Sequence, residues 1–435
     1  MRTLRIGRFA LSASIVAALV AACGGPQTSF GVPGAMPQGR VHSTSSSSYN
    51  VLYRFDEYPN GESPSQGLTN VGGTLYGTTF GGGVKACVLD GKRGCGTVFS
   101  ITPTGTETLL YSFTPSTGAH PDGRLLDVKG ALYGTTYKGG IANGAKKGTI
   151  YSVSTSGSEK VLYYFPGANR GAGGGQPRAG MIALNGTFYG TTTDDGGFSK
   201  DSGKVYSFTA SGQYNVLHTF PEVFKRKSDG AYPQGDLVAV NGTLYGTTIE
   251  GGGSACNSYR GCGTVFSITS SGKEKVLYAF GGPDGQSPNG DLLNVNGTLY
   301  GTTYRGGGSG CFYGGGCGNV YTITTSGKES VLYKFLGGSD GGNPASGLID
   351  VNGTLYGTTF YGGGSSACTN GCGTVYSIST SGVEKVLYAF AGGNDGQWPQ
   401  APLTSLQGTL YGETSGGGDS QQGKACCGTV FALTP

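Results

Sequence analysis

Histidine is scarce in this sequence, and the common catalytic motifs are absent. The 435 residues include three histidines, His42, His120 and His218. There is no nucleophile elbow, zinc-protease helix motif or Walker loop. Glycine runs such as residues 81–83 lack the Lys-Ser/Thr pair and the following helix of a phosphate-binding loop. We therefore predict no catalytic residue and lean against an enzymatic function.

Charge is also sparse. Charged residues make up 12% of the chain, and the formal net charge is +4. Three of the 29 basic residues lie within the first 22 positions, which leaves 26 basic against 25 acidic side chains in the remainder. This balance creates no field that would attract a polyanion. We expect no nucleic-acid partner.

Glycine and tyrosine are abundant, with 87 and 27 residues. The glycines follow no three-residue period, which excludes collagen. Disordered chains are usually poor in aromatic residues, whereas 11% of this chain is aromatic. Many glycines together with many Tyr, Thr and Val residues indicate short strands joined by tight turns.

Residues 1–22 have the pattern of a bacterial export signal. Arg2, Arg5 and Arg8 precede an apolar stretch at 9–20 that is too short to span a membrane comfortably. The sequence LVAAC at 19–23 resembles the lipobox of bacterial lipoproteins. This resemblance implies cleavage before Cys23 and acylation of Cys23. The alternative is an ordinary secretory leader with a coincidental cysteine.

The expected location follows from this signal. Several acyl chains hold a protein firmly on a membrane. Gly24 is not the aspartate that favours inner-membrane retention, so we expect attachment to the outer membrane or the cell surface. Residues 24–48 are rich in Ser, Gly and Pro, which is typical of a flexible tether. We expect the lipid to be the only membrane attachment and the protein to be monomeric.

Three short motifs recur seven times in the rest of the chain. They are Leu-Tyr-Gly-Thr-Thr, Val-Leu-Tyr-x-Phe and Gly-Thr-Val-Phe/Tyr-Ser-Ile, with small changes between copies. Successive copies are separated by about 56 residues. The tyrosine of the first motif stands at Tyr76, Tyr133, Tyr189, Tyr245, Tyr300, Tyr356 and Tyr411.

Each repeat divides into four strands. In the fifth repeat we predict strands at 291–295, 298–303, 318–324 and 329–335, with hairpin turns at 296–297 and 326–327. Four antiparallel strands per repeat predict an all-β, seven-bladed β-propeller over residues 49–435. The chain opens with a lone outer strand and ends after a third strand, so we expect the N-terminal strand to complete the last blade.

The cores GTLYGTT and GCGTVFSI resemble the Gloeobacter/Verrucomicrobia tandem-repeat family. The resemblance extends over about residues 49–435 and implies an exported, envelope-anchored repeat protein. It brings no activity, cofactor or catalytic residue. The third repeat departs most, with Phe188 in place of Leu, Thr-Asp-Asp at 193–195 and His218 in place of Tyr.

Ten further cysteines occur in pairs, each within a loop between the second and third strands. An even count in an exported chain predicts local disulfides. Zinc binding by neighbouring loops is the alternative, but the spacings are wrong for zinc fingers. The pairs are Cys87/Cys95, Cys256/Cys262, Cys311/Cys317, Cys368/Cys372 and Cys426/Cys427, the last adjacent in sequence.

The long loops share one face, which we take as the candidate binding face. A recurring Asp/Asn-Gly-x-x-Pro connects the blades, and we expect its acidic residues to ring the mouth of the central channel. Either they cap their own turns or they bind a ligand, including a shared calcium ion. The residue before the proline varies and includes the only Trp. The ligand-binding candidates are Asp229, Asp284, Asp340, Asp395, Tyr232 and Trp398, with Tyr259, Phe312, Tyr313 and Tyr361 in the cysteine-bearing loops.

Three functional hypotheses follow. The leading one is a non-catalytic envelope propeller that binds a glycan or a protein and needs no cofactor. The second is a glycosidase or lyase that uses an Asp pair at the channel mouth, such as Asp284 and Asp340. The third is a purely structural envelope protein.

Overall fold

The computed structural model describes residues 47–56, 58–89, 92–140, 147–166, 173–193, 201–222, 229–253, 256, 260–308, 310–311, 314–418 and 427–435. Ser45–Pro435 is one compact unit. Regular structure in the described ranges is β-strand apart from two short 3-10 helices, Gly338–Asp340 and Gly393–Asp395. Over these ranges no helix has the length and apolarity needed to cross a membrane.

The strands form seven antiparallel sheets, which confirms the predicted propeller. In blades 1 to 3 the strands follow one another in chain order from the inner to the outer edge. Blade 1 has Glu62–Pro64 with Thr69–Val71, Thr74–Gly81, Thr97–Ile101 and Glu107–Ser112; blade 2 has Ala119–Pro121 with Leu126–Val128, Ala131–Lys138, Thr149–Ser154 and Glu159–Tyr164; blade 3 has Ile182–Leu184, Thr187–Thr192, Asp201–Thr209 and Tyr214–Pro221. A two-stranded hairpin, Val88–Leu89 with Lys92–Arg93, lies in the loop between the second and third strands of blade 1.

The remaining blades repeat this plan. Blade 4 has Gly230–Pro233 with Val238–Val240, Thr243–Gly251, Thr264–Thr269 and Glu274–Ala279; blade 5 has Leu293–Val295, Thr298–Thr303, Asn319–Thr324 and Glu329–Lys334; blade 6 has Ile349–Val351, Thr354–Thr359, Thr374–Ser379 and Glu384–Ala389; blade 7 has Thr404–Leu406, Thr409–Thr414, Thr429–Thr434 and Ser48–Arg54. In blade 5 the inner strand is two residues shorter than the sequence predicts, because its first residues turn into the channel.

The ring is closed by the first strand of the propeller. Ser48–Arg54 pairs antiparallel with Thr429–Thr434 and becomes the outer strand of blade 7. The last blade thereby gains its fourth strand, and the two ends of the propeller chain are hydrogen-bonded to each other. The predicted closure is confirmed.

The blades are joined by one aromatic contact that recurs at all seven junctions. The Phe that ends Val-Leu-Tyr-x-Phe packs edge-on against the Phe or Tyr of the third strand in the next blade, with ring centroids 4.9–5.7 Å apart. At the closing junction the pair is Phe55 and Phe99. The motif aromatics are therefore core residues of the blade interfaces.

The glycine of Leu-Tyr-Gly leaves space for the same aromatic ring. A Cβ atom built on Gly301 would lie 2.5 Å from the Tyr321 ring, so no larger residue fits there without displacing it. The hydroxyl of Tyr321 is buried and has no hydrogen-bond partner among the described residues. Blades 1, 4 and 7 carry Phe at this position, so the ring, and not the hydroxyl, is what the interface requires.

Candidate functional site

The inner strand of each blade is interrupted just after the recurring proline. In blade 1, Glu62–Pro64 and Thr69–Val71 both pair with Thr74–Gly81, while the residues between them leave the sheet. We name the three residues after each proline the channel-mouth segments. They are residues 65–67, 122–124, 178–180, 234–236, 289–291, 345–347 and 400–402.

A cavity of about 500 Å³ is lined by residues from all seven channel-mouth segments, so it lies on the axis of the ring. Nine charged and amide residues contribute to its lining. They are Gln66, Asp122, Arg124, Arg178, Gln234, Asp236, Asn289, Asp291 and Gln400. Phe80 and Trp398 are the aromatic residues of the lining. The cavity is therefore the polar mouth of the central channel.

Side chains in this mouth hydrogen-bond to the backbone of neighbouring blades. Asp236 Oδ1 accepts from Gly180 N at 2.5 Å, and Asp291 Oδ1 accepts from Asp236 N at 2.6 Å. These bonds link blades 3, 4 and 5. Each carboxylate keeps its second oxygen for a further partner.

Blade 7 closes the ring with a different residue. Glu413 replaces the first Thr of Thr-Thr in the other six copies of the motif, and its Oε2 accepts from Gly67 N in blade 1 at 2.9 Å. Gln66 Oε1 accepts in the same way from Gly123 N in blade 2. At the equivalent position of blade 5 the Thr302 hydroxyl instead donates to the next blade, to Ser346 O at 2.8 Å.

Burial perturbs the acids of the channel. It raises the pKa of Asp122 and of Glu413 to about 7, although Arg178 beside Asp122 and the backbone N–H donors to Glu413 oppose the shift. Burial also raises the pKa of Asp291, and burial together with the Asp291 charge raises that of Asp236 well above its usual range. Asp122 and Glu413 therefore titrate near pH 7.

Two arginines balance the acids. Arg124 Nη2 donates to Leu68 O at 2.6 Å and to Thr404 Oγ1 at 2.7 Å, so it spans blades 2, 1 and 7. Arg178 lies 3.5 Å from Asp122 Oδ2, and its guanidinium lies 4.3 Å from the centre of the Tyr137 ring. Arg124 is held by the scaffold, whereas Arg178 is partly exposed to solvent.

The rim of the mouth is built on a repeated and unusual backbone conformation. The residue before the proline has a φ near +55° in every blade: Ser63, His120, Gln176, Tyr232, Ser287, Asn343 and Trp398. Residues other than glycine rarely adopt this conformation. At Trp398 the backbone N–H donates to Cys372 O at 2.8 Å, and the equivalent bond from Asn343 to Cys317 O is 2.6 Å. The same backbone conformation thus presents six different residue types over the seven blades.

Two of these side chains stack on aromatic rings of the preceding blade. His120 stacks on Phe80 with centroids 4.5 Å apart, and Trp398 lies parallel to Phe360 at 6.1 Å. Trp398 is half-buried, and its Nε1 has no hydrogen-bond partner among the described residues. Trp398 therefore lies at the cavity, where the sequence predicted a contact residue.

The recurring aspartates are not at the channel mouth, so their predicted placement is wrong. Asp340 accepts from the Tyr333 hydroxyl at 2.6 Å and from Leu336 N at 2.7 Å. Asp395 accepts in the same way from Tyr388 and Ala391 N. Asp284 accepts from Tyr278 and Gly281 N. They secure the turn that follows their own outer strand, and none lines the cavity.

The positions of these aspartates also contradict two predictions, a catalytic Asp pair and a shared calcium site. Asp284 and Asp340 are bound within their own turns and do not form a carboxylate pair at the channel mouth. Among the described residues, the one group of three His, Cys, Asp or Glu residues close enough to hold a metal ion is His218, Asp229 and Glu274. The four aspartates therefore form no shared calcium site.

Four of the predicted disulfides are present. Cα atoms are 5.7, 5.4, 4.9 and 5.2 Å apart in Cys87–Cys95, Cys256–Cys262, Cys311–Cys317 and Cys368–Cys372. Cys427 is also disulfide-bonded, while Cys426 lies outside the described residues.

The remaining candidates are more scattered. Tyr232 is the half-buried residue before Pro233 and shares the rim conformation. Tyr361 lines a second cavity of about 600 Å³ between the long loops of blades 5 and 6. Cys23, Tyr259, Phe312 and Tyr313 lie outside the described residues.

Sequence reasoning missed the channel-mouth segments themselves. Their signal was present, because the residue directly after the proline is as variable as the residue before it: Ser65, Asp122, Arg178, Gln234, Asn289, Ala345 and Gln400. Only the break in the inner strand turns these positions toward the axis.

Solved structures that match this chain have low sequence identity to it. A gluconolactonase from Xanthomonas campestris is 11% identical, with a TM-score of 0.42 and 89% of each chain covered. The PQQ-bound aldose sugar dehydrogenase from Streptomyces coelicolor is 14% identical, with a TM-score of 0.41, and 89% of this chain and 98% of that chain are covered. No curated protein sequence matches.

The repeats themselves have a family model. The model of the Gloeobacter/Verrucomicrobia repeat matches residues 28–259, 86–313 and 312–435, which together span the whole propeller. The chain belongs to the Gloeobacter/Verrucomicrobia repeat family.

Proposed function

We propose that this protein is an exported envelope lipoprotein, anchored through acylated Cys23, whose propeller binds an oligosaccharide at the channel mouth without transforming it. The lipobox-like sequence at 19–23 supports the anchor. If the anchor is correct, Cys23→Ala releases the protein from the membrane fraction of the producing cell. Retention of the variant in that fraction would contradict this part of the proposal.

One observation carries the binding proposal: a single cavity combines an indole ring with carboxylate, guanidinium and amide side chains. Sugars offer hydroxyl groups, which both donate and accept hydrogen bonds, and C–H faces, which pack on aromatic rings. Asp122 and Arg178 supply an acceptor and a donor, and Trp398 supplies a ring face. The cavity volume is in the range of small-molecule sites.

The rim provides specificity in this proposal. Seven blades hold the same backbone conformation at one position, so the side chains there can differ without changing the scaffold. Trp398 contributes a ring on one side of the mouth, and Phe80 stacked on His120 contributes another. An oligosaccharide lying across the mouth would contact both.

The blades supply matched variants for the test. Trp398→Asn introduces the residue that blade 6 has at the equivalent position, where Asn343 adopts the same φ. Binding of a panel of oligosaccharides to the purified full-length protein would be measured by calorimetry. We expect the wild type to bind one oligosaccharide per chain. Trp398→Asn should lower the affinity at least about tenfold, which corresponds to about 1.4 kcal/mol of binding free energy.

The control lies on the opposite face. Val383 is 71% exposed in the turn between the third and outer strands of blade 6, so Val383→Ser should bind as the wild type does. Equal affinity of the wild type and Trp398→Asn would contradict a site at the channel mouth. A wild type that binds nothing in the panel would favour a protein partner or a structural role.

A second candidate function, hydrolysis or elimination at a glycosidic bond, is favoured by the raised pKa of Asp122. A carboxyl with a pKa of about 7 can act as a general acid or base near neutral pH. Asp291 and Asp236 are the other carboxyls of the same cavity. Release of reducing ends from any bound oligosaccharide, abolished by Asp122→Asn, would establish this activity. Unchanged oligosaccharide after long incubation would exclude it for that ligand.

A further inference from the structure

The junction of blades 3 and 4 departs from the other blade junctions in a way that concerns metal chemistry. At the junction of blades 5 and 6, the Tyr333 hydroxyl of the outer strand donates to Asp340. Glu384, which begins the outer strand of the next blade, also interacts with Tyr333. Tyr278, Asp284 and Glu329 form the same trio one blade earlier. A phenol hydroxyl thus lies between two carboxylates.

At blades 3 and 4 the corresponding residues are His218, Asp229 and Glu274. The sequence departure noted at His218 therefore falls at the centre of this trio. One ligand atom from each of the three residues lies within 4.8 Å of the other two. The imidazole of His218 takes the place of the Tyr hydroxyl. The two carboxylates therefore face a ring nitrogen instead of a hydroxyl group that donates a hydrogen bond.

Within this trio, the atoms that face one another are available to bind a metal ion. Asp229 Oδ1 accepts from Gly230 N at 2.8 Å, which fixes the carboxylate with Oδ2 toward the imidazole. His218 Nε2 and Asp229 Oδ2 are 3.8 Å apart, which is too far for a hydrogen bond. Both His218 Nε2 and Glu274 Oε1 are buried and have no hydrogen-bond partner among the described residues. Three lone-pair atoms therefore face one space.

Electrostatics favour a neutral imidazole in this position. Burial lowers the pKa of His218, Lys204 lowers it further and Asp229 opposes them. A neutral imidazole exposes the lone pair that a metal needs. Burial and the Asp229 charge raise the pKa of Glu274 to about 7. Lys204, fully buried with Nζ 3.4 Å from Thr219 Oγ1, is the nearby cationic side chain.

We propose that His218, Asp229 and Glu274 form a site for a divalent zinc ion. One imidazole nitrogen with two carboxylate oxygens suits zinc, whereas magnesium and calcium prefer oxygen ligands alone. Zinc binds these ligands at about 2.0–2.2 Å, so tetrahedral ligand atoms are about 3.4 Å apart. The three ligand atoms lie within 4.8 Å of one another, with 3.8 Å between the His218 nitrogen and the Asp229 oxygen, so zinc binding needs a contraction of at most about 1.4 Å. Three protein ligands leave the fourth position for water or an exogenous ligand.

The matched variants come from the neighbouring blades. His218→Tyr restores the residue of the other trios, so the fold is kept while the nitrogen ligand is lost. Tyr278→His makes the reverse change at the next junction, where Asp284 and Glu329 supply the two carboxylates. Zinc chloride would be titrated by calorimetry into purified full-length protein freed of metal by a chelator.

We expect one zinc ion per wild-type chain. His218→Tyr should weaken this binding by at least about 100-fold, as should Glu274→Ala. Tyr278→His should raise the stoichiometry toward two. Lys204→Thr removes a nearby positive charge and should tighten binding. Calcium should not compete at equal concentration.

The outcomes separate a metal site from a simple ion pair. Cobalt(II) bound in place of zinc should give a visible absorption band in the wild type that is missing in His218→Tyr. Absence of zinc binding in the wild type, or equal binding by the wild type and His218→Tyr, would overturn the proposal. His120→Asn, which alters the other described histidine, should leave the stoichiometry unchanged. Because this site is separate from the channel mouth, its failure would not affect the oligosaccharide proposal.

Discussion

Glu413 allows a direct test of how burial in the channel affects the folding energy. The side chain is 1% exposed, and burial raises its pKa from 4.5 to about 7. In the unfolded chain the carboxyl loses its proton near pH 4.5, whereas in the folded protein it keeps the proton up to about pH 7. Between these values the folded state binds more protons, so the free energy of unfolding falls as pH rises.

The size of the effect follows from the two pKa values. Their difference corresponds to roughly 3 kcal/mol of unfolding free energy, present at acid pH and lost by about pH 8. Asp122, Asp236 and Asp291 have raised pKa values as well and act in the same direction. We therefore expect the protein to be more stable at pH 5 than at pH 8.

Glu413→Thr isolates the contribution of one carboxyl. Thr is the residue of the other six copies, so the variant should fold. The slope of its unfolding free energy against pH, between pH 5 and 8, should correspond to about one bound proton fewer than in the wild type. Urea unfolding at several pH values, followed by fluorescence of the single Trp, measures this slope. Asp350→Asn, which introduces at an exposed position the residue that blade 5 has as Asn294, is the matched control and should leave the slope unchanged. If Glu413→Thr has the same slope as the wild type, Glu413 does not titrate in this range and the reasoning is refuted.

Two further predictions concern the blade interfaces. Gly301→Ala should lower the free energy of unfolding by about 1–3 kcal/mol, because the new methyl group overlaps the Tyr321 ring. Gly308→Ala, where a Cβ atom meets nothing within 4 Å, is the control for thermal unfolding. Tyr376→Phe should leave the free energy of unfolding unchanged or raise it by up to about 1 kcal/mol, because the buried hydroxyl has no partner among the described residues. A clear loss of stability in Tyr376→Phe would contradict that description of its hydroxyl.

Much of the fold could be predicted because its determinants are local and occur seven times. Asn296-Gly297 identifies a hairpin, and Asn296 indeed has a positive φ of 50°. The strand predicted at 298–303 is present as Thr298–Thr303. The order of strands at the two chain ends predicted the closure, because a missing outer strand and an extra one can pair in only one way.

The candidate site was harder to predict because local patterns have several explanations. Asp-Gly in a connection can cap a turn, bind a ligand or hold a metal ion, and its short motif does not distinguish them. The deciding contact for Asp340 is with Tyr333, seven residues earlier on the outer strand. That contact depends on how the connection folds back over the strand. Likewise, the direction of the Asp236 side chain depends on the break in the inner strand. The sequence pattern predicted a continuous inner strand and did not indicate this break.

The seven-fold repeat also provides a physical standard for judging each departure from it. Equivalent positions have nearly the same surroundings, so the residue used in most blades shows what the interface needs for stability. Glu413 is a buried acid where the other six blades use Thr, and His218 replaces a Tyr whose hydroxyl bonds an Asp at other junctions. Each replacement carries an electrostatic cost that burial imposes. Departures of this kind are where a repeat protein can hold its function, since the scaffold is already satisfied by the common residue.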